Sequence, residues 1–234
     1  MYRREWSPAR SERNNSFCYP AVVMGAPPPR MSGRRAQAAR NDELILDAAR
    51  EVFVSDPGAP ISSVATRAGV GISALYRRYP SKEELLRRLS LDGLHRYIAA
   101  AESALAHPGD AWAAFATFMR EVVDADTHSL TLRLAGTFTP TEELYREAGR
   151  AQELNVRLLD RTRTAGAVRP DLDVNDLTFV LEQIATVRVG DADRTAQLRH
   201  RYLALLLDGL RAQPTDPLPG PAPTWEEVAR RWDT

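Results

Sequence analysis

Hydrogen-bond donors and cations recur within one short stretch of the sequence. Ser73, Ala74, Arg77 and Arg78 lie within six residues of one another, and a helical period brings residues three and four apart onto one face. Hydroxyl groups and guanidinium forks are donors that proteins use to bind phosphates. The stretch is therefore a candidate surface for a phosphate backbone. The solvated polar face of a structural helix hairpin is the alternative.

Residues suited to catalysis or metal binding lack the necessary arrangement. The four histidines have no metal-ligand spacing: His95, His107, His128 and His200. The single cysteine, Cys18, cannot build a thiolate site. Asp124 with Asp126, and Glu142 with Glu143, are typical of solvated helix surface rather than of paired catalytic carboxylates. The sequence predicts no enzyme, no metal site and no cofactor.

A glycine motif at residues 69–74 competes with the phosphate-backbone interpretation. Gly-Val-Gly-Ile-Ser-Ala matches the dinucleotide fingerprint G-x-G-x-x-G/A. That fingerprint needs a strand before its first glycine and a βαβ unit around it. Residues 64–68 have a helical pattern and no strand pattern follows, so a nucleotide-binding enzyme is disfavoured.

The elements that position these residues are helices, and the expected fold class is all-α. Apolar residues at steps of three and four predict helices over 41–55, 61–68, 72–79, 82–106, 110–126, 129–136, 140–165, 173–189 and 193–212. Ser81 with Glu84, and Thr139 with Glu142, form capping-box patterns, and Pro140 suits a first helical position. Gly166 suits the end of the same helix.

The two short helices predict a helix-turn-helix at about 60–79. Ala65 and Gly69 permit close crossing of the helices, and Val64, Val70 and Leu75 supply a core between them. A second helix of this length fits a DNA major groove.

Charge is distributed unevenly, although 31 basic and 31 acidic side chains balance overall. Residues 1–90 carry 15 basic and 9 acidic side chains, so the remainder carries a net charge of −6. Such asymmetry is a hint of a half that binds nucleic acid. Residues 41–90 alone are balanced, so the positions of the cations decide more than their total.

Sequence motifs over residues 38–97 resemble the TetR family of bacterial transcription regulators. The matching segments are Ile45-Leu46-Asp47-Ala48-Ala49-x-x-x-Phe53, Val64-Ala65-x-x-Ala68-Gly69-Val70 and Leu75-Tyr76-x-x-Tyr79-Pro80-Ser81-Lys82-Glu83-x-Leu85-Leu86. The resemblance implies double-stranded DNA as a partner. It implies base contacts from Gly71, Ile72, Ser73 and Ala74, and phosphate contacts from Tyr76, Arg77 and Lys82.

Other DNA contacts are expected from the same region, while Tyr79 is expected to be a packing residue. Ser62 and Ser63 are candidates for backbone or base contacts, with simple solvation as the alternative. Pro60 departs from the family pattern, because it offers neither a capping oxygen nor an N–H donor. Since Ile72 and Ala74 offer only apolar contacts, specificity is expected from Ser73, Arg77 or Arg78, from Arg34 and Arg35 in the minor groove, or from DNA shape.

The second half, 98–212, is similar to the SbtR-like C-terminal group of TetR regulators. The similarity rests on Gly166-Ala167-Val168-Arg169-Pro170-Asp171 and Tyr202-Leu203-x-Leu205-Leu206-Leu207-Asp208-Gly209-Leu210. It implies a pocket for a small-molecule effector and a homodimer formed by the last two long helices. A repressor released from a palindromic operator is expected; an activator, a regulator without an effector and a helical interaction protein are the alternatives.

Candidate pocket residues follow from apolar and polar patterning. Trp112, Phe115, Met119 and Val122 form a stripe that is typical of core and also suits an apolar ligand. Asn155 interrupts an apolar helix face and needs a partner from a ligand or a neighbouring helix. Arg133 is a candidate for an anionic effector, with a solvated or paired arginine as the alternative.

The two ends of the chain are expected to lie outside the helical body. Residues 1–37 have the composition of a disordered basic arm, with Met24 and Met31 as possible translation starts. Residues 213–234 form a proline-rich tail, in which 225–232 predict either a short docking helix or a mobile end. No stretch is long and apolar enough to span a membrane, and a cytoplasmic protein is expected.

Overall fold

The computed structural model describes residues 33–212 and 216–230, apart from the side chains of residues 33–36, 38 and 39. The possible starts at Met24 and Met31 and the side chains of Arg34 and Arg35 lie outside this part of the chain. Within it the chain forms ten helices: α1 (Gly33–Ser55), α2 (Ile61–Ala68), α3 (Ile72–Arg78), α4 (Lys82–Ala106), α5 (Ala111–Asp124), α6 (Thr127–Leu134), α7 (Glu142–Thr164), α8 (Val174–Thr186), α9 (Ala192–Leu210) and α10 (Trp225–Ala229). The all-α prediction is confirmed.

The N-terminal unit consists of α1, α2, α3 and the first turns of α4 around one apolar core. Phe53, Val64, Leu75 and Leu85 are fully buried there. Gly69 ends α2 with a φ of +66°, a left-handed conformation that costs glycine little. The core fixes the crossing of α2 and α3, as the helix-turn-helix prediction requires.

Helix ends agree with the sequence prediction in the N-terminal unit, except at α1. Pro60 precedes α2 and provides no side-chain cap, whereas Ser81 Oγ accepts a hydrogen bond of 3.1 Å from Glu84 N. α1 begins at Gly33, eight residues before the predicted start at Asn41. Alanine, glutamine and arginine are strong helix formers, so the segment before Asn41 extends the helix and the predicted arm does not reach residue 37.

α7 begins two residues later than predicted. Thr141 is its N-cap and accepts a hydrogen bond of 3.3 Å from Leu144 N. Thr139 is held against α4 instead, because its carbonyl accepts a hydrogen bond of 3.1 Å from Arg87 Nε. The prediction of Thr139 as cap and Pro140 as first helical residue is therefore wrong.

The C-terminal body forms a second core, in which α4 and α7 make the largest helix contact. Phe115, Phe118, Met119 and Leu158 are buried at its centre. α6 connects the two units, because Leu130 and Leu134 belong to the apolar cluster of the N-terminal unit and the helix also contacts α5 and α8 of the C-terminal body. In the described part of the chain, no helix is long and apolar enough to cross a membrane.

The end of the described chain folds back onto the body. Val168 and Arg211 form an isolated antiparallel bridge, and residues 216–224 then lead without regular structure into α10. Val228 of α10 is only 4% exposed. Of the two predictions for residues 225–232, the docking helix is the one observed, over 225–229.

Candidate functional site

The outer face of α3 presents the residues that were predicted to read DNA. Gly71, Ile72, Ser73, Tyr76 and Arg77 are all exposed, and Ala74 is half-buried. Ile72 and Tyr76 are 41% and 47% exposed, which is high for side chains with this much apolar area. Leu75 points into the core. α3 is therefore anchored on one side and open to a partner on the other.

The two arginines at the end of α3 differ in their surroundings. Arg77 forms no ion pair with any residue that the structure describes. Arg78 donates two hydrogen bonds to the Asp42 carboxylate of α1, from Nε to Oδ1 at 2.7 Å and from Nη2 to Oδ2 at 2.5 Å. The hydrogen bond with Asp42 is the largest cause of a raised Arg78 pKa. Arg77 therefore has no ion-pair partner within the described residues and stays a predicted phosphate contact, while Arg78 holds α3 against α1.

Lys82 has a structural partner that the sequence did not reveal. Its Nζ donates hydrogen bonds of 2.8 Å to the carbonyl oxygens of Pro57 and Ala59, and it lies 5.0 Å from the centre of the Phe53 ring. An ammonium group has three N–H donors, so one remains for another acceptor. Lys82 stabilises the turn before α2 and stays a predicted phosphate contact.

Ser62 and Ser63 lie in the first turn of α2, where Ser62 is exposed and Ser63 half-buried. Tyr79 is buried, which confirms its prediction as a packing residue. Its phenol has a raised pKa, with burial as the largest cause. The DNA contacts of both serines stay predictions.

A cavity of about 340 Å³ lies in the C-terminal body, within the usual size range of ligand sites, roughly 300 to 1,000 Å³. Its wall comes from α4, α6, α7, α8 and α10 and from the loop before α7. Apolar and aromatic lining residues include Leu94, Tyr97, Leu130, Phe138, Leu144, Tyr145, Ala148, Trp225 and Val228. Polar lining residues include Ser90, Thr131, Gln152, Asn155, Thr178 and Glu182.

The structure separates the predicted pocket residues. Asn155 lines the cavity, and its Oδ1 accepts a hydrogen bond of 2.9 Å from Tyr97 OH. Trp112, Phe115 and Met119 lie in the core instead, because α5 is enclosed by α4, α7 and α9. They do not line this cavity, and their position is that of the core alternative given for this stripe.

Val122 and Arg133 are also absent from this wall. Val122 borders a separate space of about 10 Å³, too small for more than one water, and Arg133 is exposed. Phe138 and Trp225 also line the cavity and were not among the predicted pocket residues. Phe138 lies in a loop without a helical period, and the docking helix predicted for 225–232 carried no sign of which wall it would cover. The capping-box pattern of Thr224 with Glu227 was a further signal for α10.

Comparisons with known proteins cover both units. Residues 45–89 match the profile of bacterial regulatory proteins of the tetR family. Residues 107–212 match the profile described as transcriptional regulator SbtR-like, C-terminal domain. The chain belongs to the TetR family. It is a DNA-binding transcriptional regulator, and its C-terminal domain is SbtR-like.

Individual TetR relatives support the same assignment. The HTH-type transcriptional repressor LfrR of Mycolicibacterium smegmatis is 42% identical over 59 residues, which are 25% of this chain and 30% of that relative. The TetR regulatory protein of Mycobacterium vanbaalenii is 28% identical, with a TM-score of 0.55 over 76% of this chain and 99% of that chain. A TetR regulator of Streptomyces coelicolor is 26% identical, with a TM-score of 0.54 over 73% and 98%.

Proposed function

We propose that this regulator represses transcription as a homodimer bound to a palindromic operator, and that a small apolar effector in the cavity releases it. The observation that carries the proposal is the position of α6. Leu130 lines the cavity and is also packed in the core of the DNA-binding unit. A ligand that displaces α6 therefore acts directly on the helices that hold α3.

The proposed DNA contacts divide into base-reading and phosphate-binding residues. The exposed start of α3 enters the major groove, where Ser73 offers a hydroxyl donor and Ile72 an apolar contact for a thymine methyl. Tyr76 and Arg77 bind phosphates, joined by Lys82 through its remaining N–H. Positioning through phosphates fixes the register in which the few base contacts are made.

The proposed dimer uses the outer face of α9 together with α8. Tyr202 and Leu205 are 43% and 62% exposed, and they lie three residues apart on one face beside the half-buried Leu198 and Leu206. An apolar stripe of this kind suits an isologous two-fold interface. Two-fold symmetry would place two copies of α3 on successive major grooves, about 34 to 36 Å apart.

The proposed effector is an uncharged, largely apolar molecule. No lysine or arginine occurs among the described residues that line the cavity, whose ionisable side chains include His128 and Glu182. An anionic ligand would lose its hydration there without a permanently charged cationic partner. Tyr97, Gln152 and Asn155 provide hydrogen-bonding groups that orient a ligand within the apolar space.

Release requires that the effector binds the DNA-free conformation more tightly than the DNA-bound one. α4 and α6 both line the cavity and both contribute to the N-terminal core. A shift of these helices changes the separation of the two α3 helices in the dimer. Repression is supported by the similarity to the transcriptional repressor LfrR, which is confined to 59 residues.

The first test is selection of DNA fragments from the host genome with the purified protein. Enrichment of an inverted repeat, with affinity that falls steeply as salt rises, is expected. Sedimentation analysis should show a dimer at micromolar concentration. Failure to enrich any palindrome, or a strictly monomeric protein, would contradict the proposal.

Filling the cavity with a larger side chain tests whether the effector binds there. Ala148 is half-buried and lines it, whereas Ala113 is exposed on α5. Ala148→Trp should bind the operator and resist release by host metabolite extracts, while Ala113→Trp should respond like the unmodified protein. Equal responses of both variants would remove the cavity from the mechanism.

A further inference from the structure

The C-terminal strap, residues 216–229, is fastened to the body by a charged latch at its start. Arg169 is buried and donates hydrogen bonds of 2.6 and 3.0 Å to the two carboxylate oxygens of Asp171. Arg169 Nη2 also donates to the Asp216 carbonyl at 3.0 Å, and Asp171 Oδ2 accepts from Leu218 N at 2.8 Å. The hydrogen bonds from Arg169 and Leu218 hold the Asp171 pKa far below its usual range, so the latch stays ionised near neutral pH.

The middle of the strap is rich in proline and bends at Gly220, which has a φ of +77°. Prolines occupy alternate positions: Pro217, Pro219, Pro221 and Pro223. Proline restricts the backbone and lowers the entropy lost on docking. Asn175 Nδ2, near the start of α8, donates a hydrogen bond of 2.9 Å to the Pro223 carbonyl. This hydrogen bond holds the end of the proline segment beside the cavity.

The end of the strap is α10, which forms one wall of the cavity. Trp225, Val228 and Ala229 are lining residues, and Val228 is the only member of α10 that is buried. All other helices that contribute to the wall have at least eight residues, whereas α10 has five. Isolated helices this short are unstable in water, so α10 depends on its docking and on its cap.

The cap of α10 is a reciprocal capping box on the solvent side. Thr224 N donates to Glu227 Oε2 at 2.7 Å, and Glu227 N donates to Thr224 Oγ1 at 3.2 Å. Both residues are exposed and neither lines the cavity. Substitution of Glu227 therefore weakens α10 without altering the surface that a ligand would touch.

We propose that α10 is the removable wall of the effector cavity: its undocking admits and releases the effector, and its docking closes the cavity over the bound molecule. The inference rests on the effector cavity of the proposed function. The latch and the proline segment keep α10 close to its docking position, so that closure is a local step. Trp225 and Val228 then contribute directly to effector selection, because they contact the ligand only in the closed state.

The rate of probe entry tests this role. Nile red, an uncharged apolar dye, is mixed with the full chain and its fluorescence is followed by stopped flow. Glu227→Ala should raise both the association and the dissociation rate about five-fold, the size expected for the loss of one helix cap of roughly 1 kcal/mol. Glu226→Ala is the matched control, because Glu226 lies on α10 and its one ion pair within the described part of the chain is with Arg230 on the helix surface.

Hydrogen exchange provides a second measurement on the unmodified protein. Bound dye should slow exchange of the amides of residues 225–229, because ligand contact holds α10 in its docked state. One result would overturn the strap proposal and leave the effector cavity in place. It is equal dye rates in Glu227→Ala, Glu226→Ala and the unmodified chain, together with unchanged hydrogen exchange in α10. Dye binding that survives Ala148→Trp would instead contradict the effector cavity, and the strap proposal with it.

Discussion

Arg78 at the end of α3 and Asp42 of α1 form a two-pronged ion pair, with hydrogen bonds of 2.7 and 2.5 Å. The pair joins the recognition helix to a helix 36 residues earlier in the chain. Arg77, the preceding residue, has no such partner among the described residues and is exposed. The two adjacent arginines therefore differ in their surroundings: Arg78 positions α3, and Arg77 is the one that we propose binds DNA.

Arg77→Ala should lower the affinity for the operator and for other DNA sequences by a similar factor, because a phosphate contact does not depend on the base sequence. Loss of one phosphate contact is expected to lower the slope of log affinity against log salt by about 1. Fluorescence anisotropy with labelled operator at several salt concentrations measures this slope. Arg78→Ala is the matched comparison and should change the slope less, because its guanidinium is engaged with Asp42. A larger change of slope in Arg78→Ala would reverse the assignment.

Lys82→Met should destabilise the fold as well as weaken DNA binding. The ammonium group donates to the Pro57 and Ala59 carbonyls, and a hydrogen bond to a charged group contributes about 1.5 to 3 kcal/mol. Urea unfolding should show a free energy of unfolding lower by about that amount. Arg88→Met, on the exposed face of α4, should leave stability almost unchanged. A fully stable Lys82→Met protein with lost operator affinity would show that Lys82 acts only on phosphate.

The sequence predicted the helix-turn-helix almost to the residue, because its signals are local. Gly69, placed at the end of a short helix, has a left-handed φ. Leu75, placed on the apolar face of the next helix, is buried. The partner of a cation is not local: Arg78 pairs with Asp42 and Lys82 with carbonyls before α2. The sequence shows that a side chain is charged, but only the folded structure shows whether that charge already has a partner within the protein.

The cavity was harder to predict for a related reason. An apolar stripe such as Trp112 and Phe115 has the same period whether it faces a core or a ligand. Whether such a stripe faces a core or a ligand depends on the helices packed around it, and neighbouring helices enclose α5. The cavity wall also includes Phe138, from a loop without periodicity, and Trp225, from a tail helix whose docking position depends on the packed fold. A polar residue in an apolar stripe must find a partner, and that of Asn155 is Tyr97 on a neighbouring helix, at the cavity wall. Its contact with a ligand stays a prediction.

Arg161→Ala should destabilise the C-terminal body. The Arg161 guanidinium caps the end of α4 by donating to four main-chain carbonyls, those of Ala104, Leu105, His107 and Gly109, at 2.8, 3.1, 2.6 and 3.2 Å. Carbonyls at a helix C-terminus lack intrahelical partners and carry partial negative charge. A loss of about 2 kcal/mol is expected from the charged hydrogen bonds. Thermal and urea unfolding measure it.

The matched control for Arg161 is Arg157, one turn earlier on α7 and exposed. Arg157→Ala should unfold within about 0.5 kcal/mol of the unmodified protein, as most surface substitutions do. Equal stability of the two variants would show that the four carbonyls are satisfied by water when the guanidinium is removed.

Tyr97 should make the stability of the protein fall at high pH. Its hydroxyl donates to Asn155 Oδ1 at 2.9 Å, and its ring packs edge-on against Phe118 at 5.3 Å. Burial raises the Tyr97 pKa well above its ordinary value. The unfolded phenol ionises near pH 10, whereas the folded one stays neutral. The free energy of unfolding should therefore be level below about pH 9 and fall above pH 10, by up to about 1.4 kcal/mol per pH unit.

Tyr97→Phe separates the two contributions of this phenol. Near neutral pH the variant should be less stable by about 1 kcal/mol, since the buried Asn155 amide loses a partner. Above pH 10 its loss of stability with pH should be shallower than in the unmodified chain, because phenylalanine has no proton to release. Tyr79→Phe is the matched comparison, because burial also raises the pKa of Tyr79, so each variant should remove only its own share of the slope. Urea unfolding at pH 8, 10 and 11 measures these shares, and an unchanged slope in Tyr97→Phe would show that the Tyr97 phenol ionises within the folded protein.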